Sequence, residues 1–401
     1  MTSAAAESSL LAGPPRKKAP DAPKLVRVAR EHGVGPLTQF GQMMSLQMKR
    51  TGIHTSEYYD FELYAPRYSA EERAQFVGTV GSHRLNLRLS PKSLRQHFDL
   101  MNDKSMFSTF LSGLGLRTTE TQAIVNVSRS FGKMTVLRDP AEIRNFLLND
   151  ARYPLFAKPA LGSLSVGSAL IEGVDAEDEM LRFGNGKTVA LEAFAQEVLK
   201  HHAKRGFLFQ SAVRQHPTLT AIAGPALGTI RVVTVTEEAD RPRVLYVLWK
   251  IPSPDAMSDN FWQSGSMLAN VDIDTGEVLG CRRGTGLDTA RVDDHPVTGQ
   301  PIVGARIPFW SEIKALAEQA HAVFPNVGVM GWDVGVSEDG PLIVEGNNSP
   351  FHTLYQLATG EGVMNPRFTP VFDVIAARQA AQVKRNKAAR KSERKRQRRG
   401  E

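Results

Sequence analysis

The alternation of apolar and polar positions divides the chain into a helical opening stretch and a mixed remainder. Leu37, Phe40, Met44 and Met48 recur at helical spacing, and Gly52 follows as a stop. Ser90 and Pro91 supply a cap and a first-turn proline for another short helix. From Asp103 the pattern changes. Met106, Phe107, Phe110, Leu111 and Leu114 fall on one helical face, which Gly113 and Gly115 end. The runs YPLFAKPA, SALIEGV, GFLFQSAV, TIRVVTVT and RVLYVLWKI then read as strands. Helices are predicted over roughly 189–204 and 308–324, the second with Trp310, Ile313, Ala317, Ala320 and Phe324 in register. Strands joined by tight turns, with helices inserted between them, predict an α+β fold and not a regular βαβ array. There is no repeat at solenoid or propeller periods.

The expected organisation has four parts. Residues 1–35 are a disordered segment rich in Ala, Pro, Ser and Lys, and 36–100 a helical lead-in. The main domain covers 101–370, with a hinge between subdomains near 207–213, and 371–401 is a C-terminal helix with a basic tail.

Charge changes this picture only at the ends. The formal net charge is +7, yet Lys384–Glu401 alone holds ten Lys or Arg against two Glu. Residues 1–30 hold six basic against two acidic side chains, so the body between is mildly acidic. The single cysteine, Cys281, allows no internal disulfide and no cysteine-rich zinc site, which fits a reducing compartment. No signal peptide or transmembrane helix is expected, since apolar runs of the needed length are missing. A cytoplasmic location is the expectation.

The strongest chemical signal lies in MGWDVGVSEDGPLIVEGNNSP. Two strand-like runs flank Glu338-Asp339-Gly340, read as a three-residue hairpin loop with glycine at the left-handed position. Ser337 then pairs with Pro341 and Gly335 with Ile343, so Asp333 lies opposite Glu345. Strand alternation puts Asn347 on the face of Glu345. Like charges opposite each other on a sheet repel, so a cation is expected there. Hard oxygen donors of this kind suit magnesium, which takes one or two carboxylates plus phosphate oxygens. A solvated acidic hairpin is the plainer alternative.

The second signal is FAKPALGSLSVGSALI. Lys158 stands inside an apolar strand, where lysine is rare unless paired. Gly162 and Gly167 bracket a loop containing Ser163 and Ser165, able to bring backbone N–H groups close to phosphate. It is no Walker A loop, since no Lys follows Gly167 and a strand follows where a helix should. It also misses the G-x-S-x-G elbow, because Ser163 stands where the first glycine belongs. Lys104 sits in the first turn of its helix, where the macrodipole disfavours a cation unless an anion is near. Arg231 points away from Ile230 and Val232 along its strand and suits a phosphoryl or acyl-phosphate oxyanion. Lys250 is a weaker signal of the same kind. His201-His202 reads as a helix end, and no histidine pair has metal spacing.

In this order the pieces resemble the ATP-grasp superfamily, and within it the branch called sugar-transfer-associated, related to α-L-glutamate ligases. The likeness runs from about Leu37 to Met364 and is carried by NDKSMFSTFL, LFAKPALGSLSVG, FLFQSAVRQHP, GTIRVVT, DNFWQSGSMLANVDIDTGEV, HPVTGQPI and MGWDVGVSEDGPLIVEGNNSPF. The resemblance implies a bacterial protein that grips ATP between two α+β subdomains. Lys104 and Lys158 would hold phosphates under the loop of Gly162, Ser163, Ser165 and Gly167. Adenine would meet Gln210 and the backbone from Ser211 to Val213, while Asp333, Glu345 and Asn347 would hold magnesium. Many relatives carry Glu where Gln210 stands, and this branch often has Asn where Gly228 stands.

The implied function is an ATP- and magnesium-dependent ligase. It would activate a carboxylate as an acyl-phosphate for attack by an amine, with Arg231 and Lys158 neutralising charge on the transferred group. The branch name associates it with cell-surface polysaccharide or amino-sugar metabolism. Two alternatives stay open. One is a kinase acting on a hydroxyl. The other is a scaffold or nucleic-acid binder using the basic tail, although that tail has no aromatic residue for base stacking.

Overall fold

The structure, a computed structural model, describes residues 23–95, 98–162, 167–238, 241–253, 256 and 265–399. Among them the strands form two seven-stranded sheets. The first uses β1 (Thr121–Val125), β2 (Thr135–Leu137), β3 (Leu155–Pro159), β4 (Ala169–Asp175), β5 (Met180–Phe183), β6 (Thr188–Ala190) and β7 (Phe207–Ser211). Their order across the sheet is β2-β1-β7-β3-β4-β5-β6, antiparallel except for the β1–β2 pair. The second uses β8 (Ile230–Glu238), β9 (Arg241–Ile251), β10 (Met267–Val271), β11 (Val278–Arg283), β12 (Ala290–Arg291), β13 (Val329–Ser337) and β14 (Gly340–Asn347). These run in the order β12-β11-β10-β9-β8-β13-β14. Nearest-neighbour hairpins make up half of the pairings in the first sheet and most of those in the second, which is why short-range turn signals expose an α+β plan.

Each sheet covers one face with helices, and amphipathic spacing explains how. The helix Leu191–His202 buries Leu191, Phe194, Ala195 and Val198 against the first sheet. The helix Trp310–Ala322 buries Ile313, Ala317 and Ala320 against the second. His321 is also inward. Its Nδ1 meets Thr234 Oγ1 at 2.7 Å and its Nε2 meets the Val327 carbonyl at 2.7 Å, so a buried polar ring is fully partnered.

The opposite face of the second sheet is closed by the two ends of the chain together. One apolar core joins Tyr58, Tyr64, Phe76 and Leu89 with Val233, Tyr246 and Val329 of the sheet. Phe372 and Ile375, from the helix Thr369–Arg399, belong to the same core. The division expected at residue 100 is therefore crossed by a single packing unit. The disordered segment expected over 1–35 also needs correction. Lys24–His32 is a helix with Val28 fully buried, held because the lead-in offers that residue an apolar seat. Residues 1–22 lie outside the described residues.

The helix expected from the spacing of Leu37, Phe40, Met44 and Met48 forms over Pro36–Met48, and those four side chains face outward, 87, 61, 46 and 75% exposed. One other expectation is corrected. The hairpin between β13 and β14 has a two-residue loop, with Ser337 paired to Gly340 and Val336 to Pro341. Gly340 takes φ +102°, a conformation that disfavours other residues. A bulge between Val334–Ile343 and Asp333–Glu345 then restores the register that a longer loop would have given.

Gly328 marks the point where the lead-in, β13 and the last helix converge. A Cβ there would lie 2.2 Å from the Leu89 carbonyl oxygen and 2.6 Å from Ile375 Cγ2. Gly328→Ala should cost about 1–3 kcal/mol through overpacking. Urea unfolding of the full chain checks this, and unchanged stability would mean the two ends are not clamped on the sheet.

Candidate functional site

Asp333 is the centre of the constellation. In β13 it pairs across the sheet with Arg231 of β8 on one side and Glu345 of β14 on the other. Cross-strand pairing therefore sets three charged side chains in a row before any side-chain choice is made. Arg231 Nε donates to Asp333 Oδ1 at 2.6 Å and its terminal nitrogen to Oδ2 at 2.9 Å, a bidentate fork. Lys250 of β9 adds Nζ at 3.2 Å from Oδ2. All three are nearly inaccessible to solvent. Burial opposes ionisation of Asp333, yet the Arg231 and Lys250 charges override it and hold the carboxyl below the usual range.

Lys104 reaches this row from another element. The helix Lys104–Gly113 is capped by Asp103, whose side chain accepts from the Ser105 and Met106 amides. Its Phe107 stacks on Trp332 and Phe324 at 6.3 and 6.2 Å between ring centroids. A Cβ on Gly346 would lie 2.5 Å from Phe107 Cζ, so only glycine admits the ring there. The helix is thus pressed onto the hairpin, and Lys104 Nζ lies 3.5 Å from Glu345 Oε1. Nζ also donates to the Gly162 carbonyl at 2.6 Å, while the Lys104 amide donates to Ala160 at 3.2 Å. One lysine therefore ties the end of the first sheet's β3 strand to the carboxylate of the second sheet.

Lys158 is buried on β3, which leads into that corner, with Nζ 5.8 Å from the Phe156 ring centre. Gly162 and Gly167 both have positive φ, +141° and +81°. Ser163 and Ser165 lie outside the described residues. His202, expected to cap its helix, instead packs its ring on Phe207 at 5.0 Å. Burial draws its pKa down to about 4, so it is a neutral packing group.

Gln210 is buried on β7 and donates to Thr121 Oγ1 at 3.0 Å. The Ser211 amide donates to Glu120 and the Ala212 amide to Pro154. Of the three backbone amides expected near adenine, only that of Val213 donates to no described residue. Val213 also touches the second sheet, 3.6 Å from a Cβ built on Gly335.

The donor set decides what could bind. Arg231 occupies one lone-pair direction on each Asp333 oxygen and Lys250 a second on Oδ2, which leaves one on Oδ1. Glu345 is only partly buried, and Asn347 Nδ2 is buried without a partner. The carboxylate oxygens and the Asn347 side-chain oxygen are hard donors that fit magnesium held partly by oxygens from elsewhere, whereas Asn347 Nδ2 is a hydrogen-bond donor that suits an acceptor oxygen. Among the described residues no three His, Cys, Asp or Glu side chains form a ready-made metal cage.

Behind the row lies a network that the sequence reading missed. Tyr246 is buried on the same face of the sheet as Arg231, at the next cross-strand pair along that face, and its hydroxyl meets His352 Nδ1 at 3.0 Å. His352 Nε2 meets Asn86 Oδ1 at 3.0 Å, while Asn86 Nδ2 donates to the Pro350 carbonyl at 2.9 Å. Ser82 Oγ accepts the His352 amide at 3.1 Å. The lead-in helix Thr79–Leu89 thereby fixes the loop that follows Glu345 and Asn347. The only signal in the sequence was a histidine soon after Pro350.

A family model described as sugar-transfer associated ATP-grasp matches residues 83–369. No curated protein matches the sequence significantly. Among solved structures, a D-alanine-D-alanine ligase from Coxiella burnetii is similar at 14% identity and a TM-score of 0.43. The match covers 75% of this chain and 63% of that one. A biotin carboxylase from Campylobacter jejuni is similar at 10% identity and a TM-score of 0.43, over 80% of this chain and 58% of that one. This chain thus spans less than two thirds of either.

Burial draws the pKa of His352 down to about 3, so it is neutral in the folded protein. The unfolded chain protonates it near 6.5. Its contribution to stability is present above that value and is lost as pH falls from about 6.5 towards 3. His352→Gln keeps hydrogen-bonding groups but cannot titrate. Its stability should fall less steeply than the parent's between pH 6.5 and 4, as measured by urea midpoints. Parallel pH curves would remove His352 from the account.

Proposed function

This chain belongs to the sugar-transfer associated ATP-grasp family, and on that premise we propose that it uses magnesium-ATP to activate a carboxylate for attack by an amine. The observation that carries the reading is the meeting of Lys104, Arg231 and Lys250 with Asp333 and Glu345 at one corner between the two sheets. Cations outnumber carboxylates there, which suits a polyphosphate.

In this reading Lys104 and Lys158 hold phosphate oxygens. The Val213 amide is the free backbone donor for adenine, with Gln210 beside it. Asp333, Glu345 and Asn347 would hold magnesium, which when bound neutralises phosphate charge and polarises the transferred group. Arg231 is pinned by Asp333 at a fixed angle. Its guanidinium is therefore preorganised beside the place where negative charge develops, and no reorganisation is needed at the moment of transfer. Lys250 contributes a second fixed charge. The chain supplies position and electrostatics, and no general base is assigned. A carboxylate as acceptor is preferred to a hydroxyl because the motifs of this chain resemble a branch related to α-L-glutamate ligases. A sugar-linked substrate rests on the family's description alone.

Glu345→Gln is the cleaner test, because Glu345 is half exposed and not locked in the buried triad. This variant should keep its unliganded melting temperature and lose magnesium-dependent ADP release at least tenfold. Turnover equal to the parent would overturn the metal assignment. Phosphate release that needs a carboxylate and an amine supports the ligase, whereas a phosphorylated hydroxyl product would make the protein a kinase. Asp333→Asn is expected to behave differently. It removes the charge that pairs with the buried Arg231 guanidinium and should cost about 3–5 kcal/mol in unfolding free energy.

A further inference from the structure

The helix Pro36–Met48 is built inside out. Its inner face carries Gln39 and Gln42 with Met43 and Leu46. Gln39 is fully buried, donating to the Leu25 and Val34 carbonyls at 3.1 and 2.7 Å and accepting from Tyr59 Oη at 3.0 Å. Gln42 accepts from Tyr58 Oη at 2.5 Å. Polar groups thus anchor the helix to the lead-in, and they are satisfied there. The outer face carries Leu37, Phe40, Met44 and Met48, spaced three, four and four residues apart so that they form one stripe. Their exposures of 87, 61, 46 and 75% leave the stripe in water.

Such a stripe presents roughly 500 Å² of contiguous apolar surface, near the upper end of what a soluble monomer leaves open. Two features indicate what covers it. The helix holds no charged residue in 13 positions, although 23% of the chain is charged. An apolar face destined for solvent or for a charged partner has no reason to exclude them. Gly41 also lies on the stripe side, exposed, with open space where a Cβ would stand. It lets another helix approach closely without a side chain in the way.

We propose that this face is a two-fold interface, and that its occupant is the same helix of a second copy of the chain. In an isologous contact each residue near the axis meets its own counterpart, so any charge would face a like charge. A charge-free stripe with a small residue near its middle removes that obstacle. Two such faces together bury roughly 1,000 Å², the lower limit for a specific interface. The interface is then modest and reversible. The inference is independent of the nucleotide site. An interfacial membrane helix fits less well, because such a helix carries a strongly charged polar face and the polar face here is uncharged and turned inward.

The test uses the full chain with Met44→Lys and Met44→Glu, prepared separately. Met44 is half exposed, so neither change disturbs the core. Sedimentation equilibrium should find the parent chain dimeric at tens of micromolar. Each variant alone should dimerise at least tenfold more weakly, and an equimolar mixture of the two should recover the dimer. That recovery cannot arise from misfolding. A parent chain that stays monomeric at 100 µM would overturn the proposal. So would two variants as dimeric as the parent, or a monomeric parent that cosediments with phosphatidylglycerol vesicles and loses this in Met44→Glu.

Discussion

A carboxylate buried between two cations is the constraint from which the site follows. Asp333 could not remain ionised in the middle of a sheet without Arg231 and Lys250, and the Arg231 guanidinium could not stay there without Asp333. The pairing does not merely balance charge. A guanidinium bound through two parallel hydrogen bonds has its plane and reach fixed, so Arg231 presents the rest of its donors in one direction. The neighbouring strands inherit the consequence. β8, β9 and β13 must keep their mutual register, because a slip of one residue would turn one of the three side chains to the other face.

The lead-in region acts on the same constraint from behind. Tyr246 shares the sheet face of Arg231, and through His352 and Asn86 it is joined to the helix Thr79–Leu89. The loop from Asn348 to His352 thus has a hydrogen-bonded backing, and so does the strand end that carries Glu345 and Asn347. The long C-terminal helix seals this side with Phe372 and Ile375. Its distal half, with the run of basic residues, remains exposed.

What could be read from the sequence was what local periodicity encodes. Alternation in β13 and β14 fixed the faces of Asp333 and Glu345, and the residues of the hairpin came out opposite each other. The turn was nonetheless one residue shorter than expected, and a bulge beyond Val334 compensated for it. Periodicity cannot see two errors that cancel. Lys250 gave only a weak signal and His352 none as a site residue, for a different reason. Their partners lie 83 and 266 residues away and are chosen by the fold, not by neighbours in the chain. The stripe of Leu37, Phe40, Met44 and Met48 was visible, but not its direction. Gln39 occupies the inner side because it finds three hydrogen-bond partners there, a satisfaction that a hydropathy pattern scores as a cost.

The balance of charge also constrains how a metal and a nucleotide would enter. Lys104, Arg231 and Lys250 stand against Asp333 and Glu345, with Lys158 on the strand leading in, so the corner carries more positive than negative charge. A bare divalent cation approaching it gains the attraction of two carboxylates but meets the repulsion of the cations already paired with both of them. Phosphates reverse the sign of that balance, since each oxygen gives Lys104 or Arg231 a new partner and supplies the ligands that the side chains lack. On the proposed reading, the metal's affinity is therefore coupled to the nucleotide's and the site fills as a unit. The coupling is reciprocal, because two ligands that help each other bind must do so by the same factor.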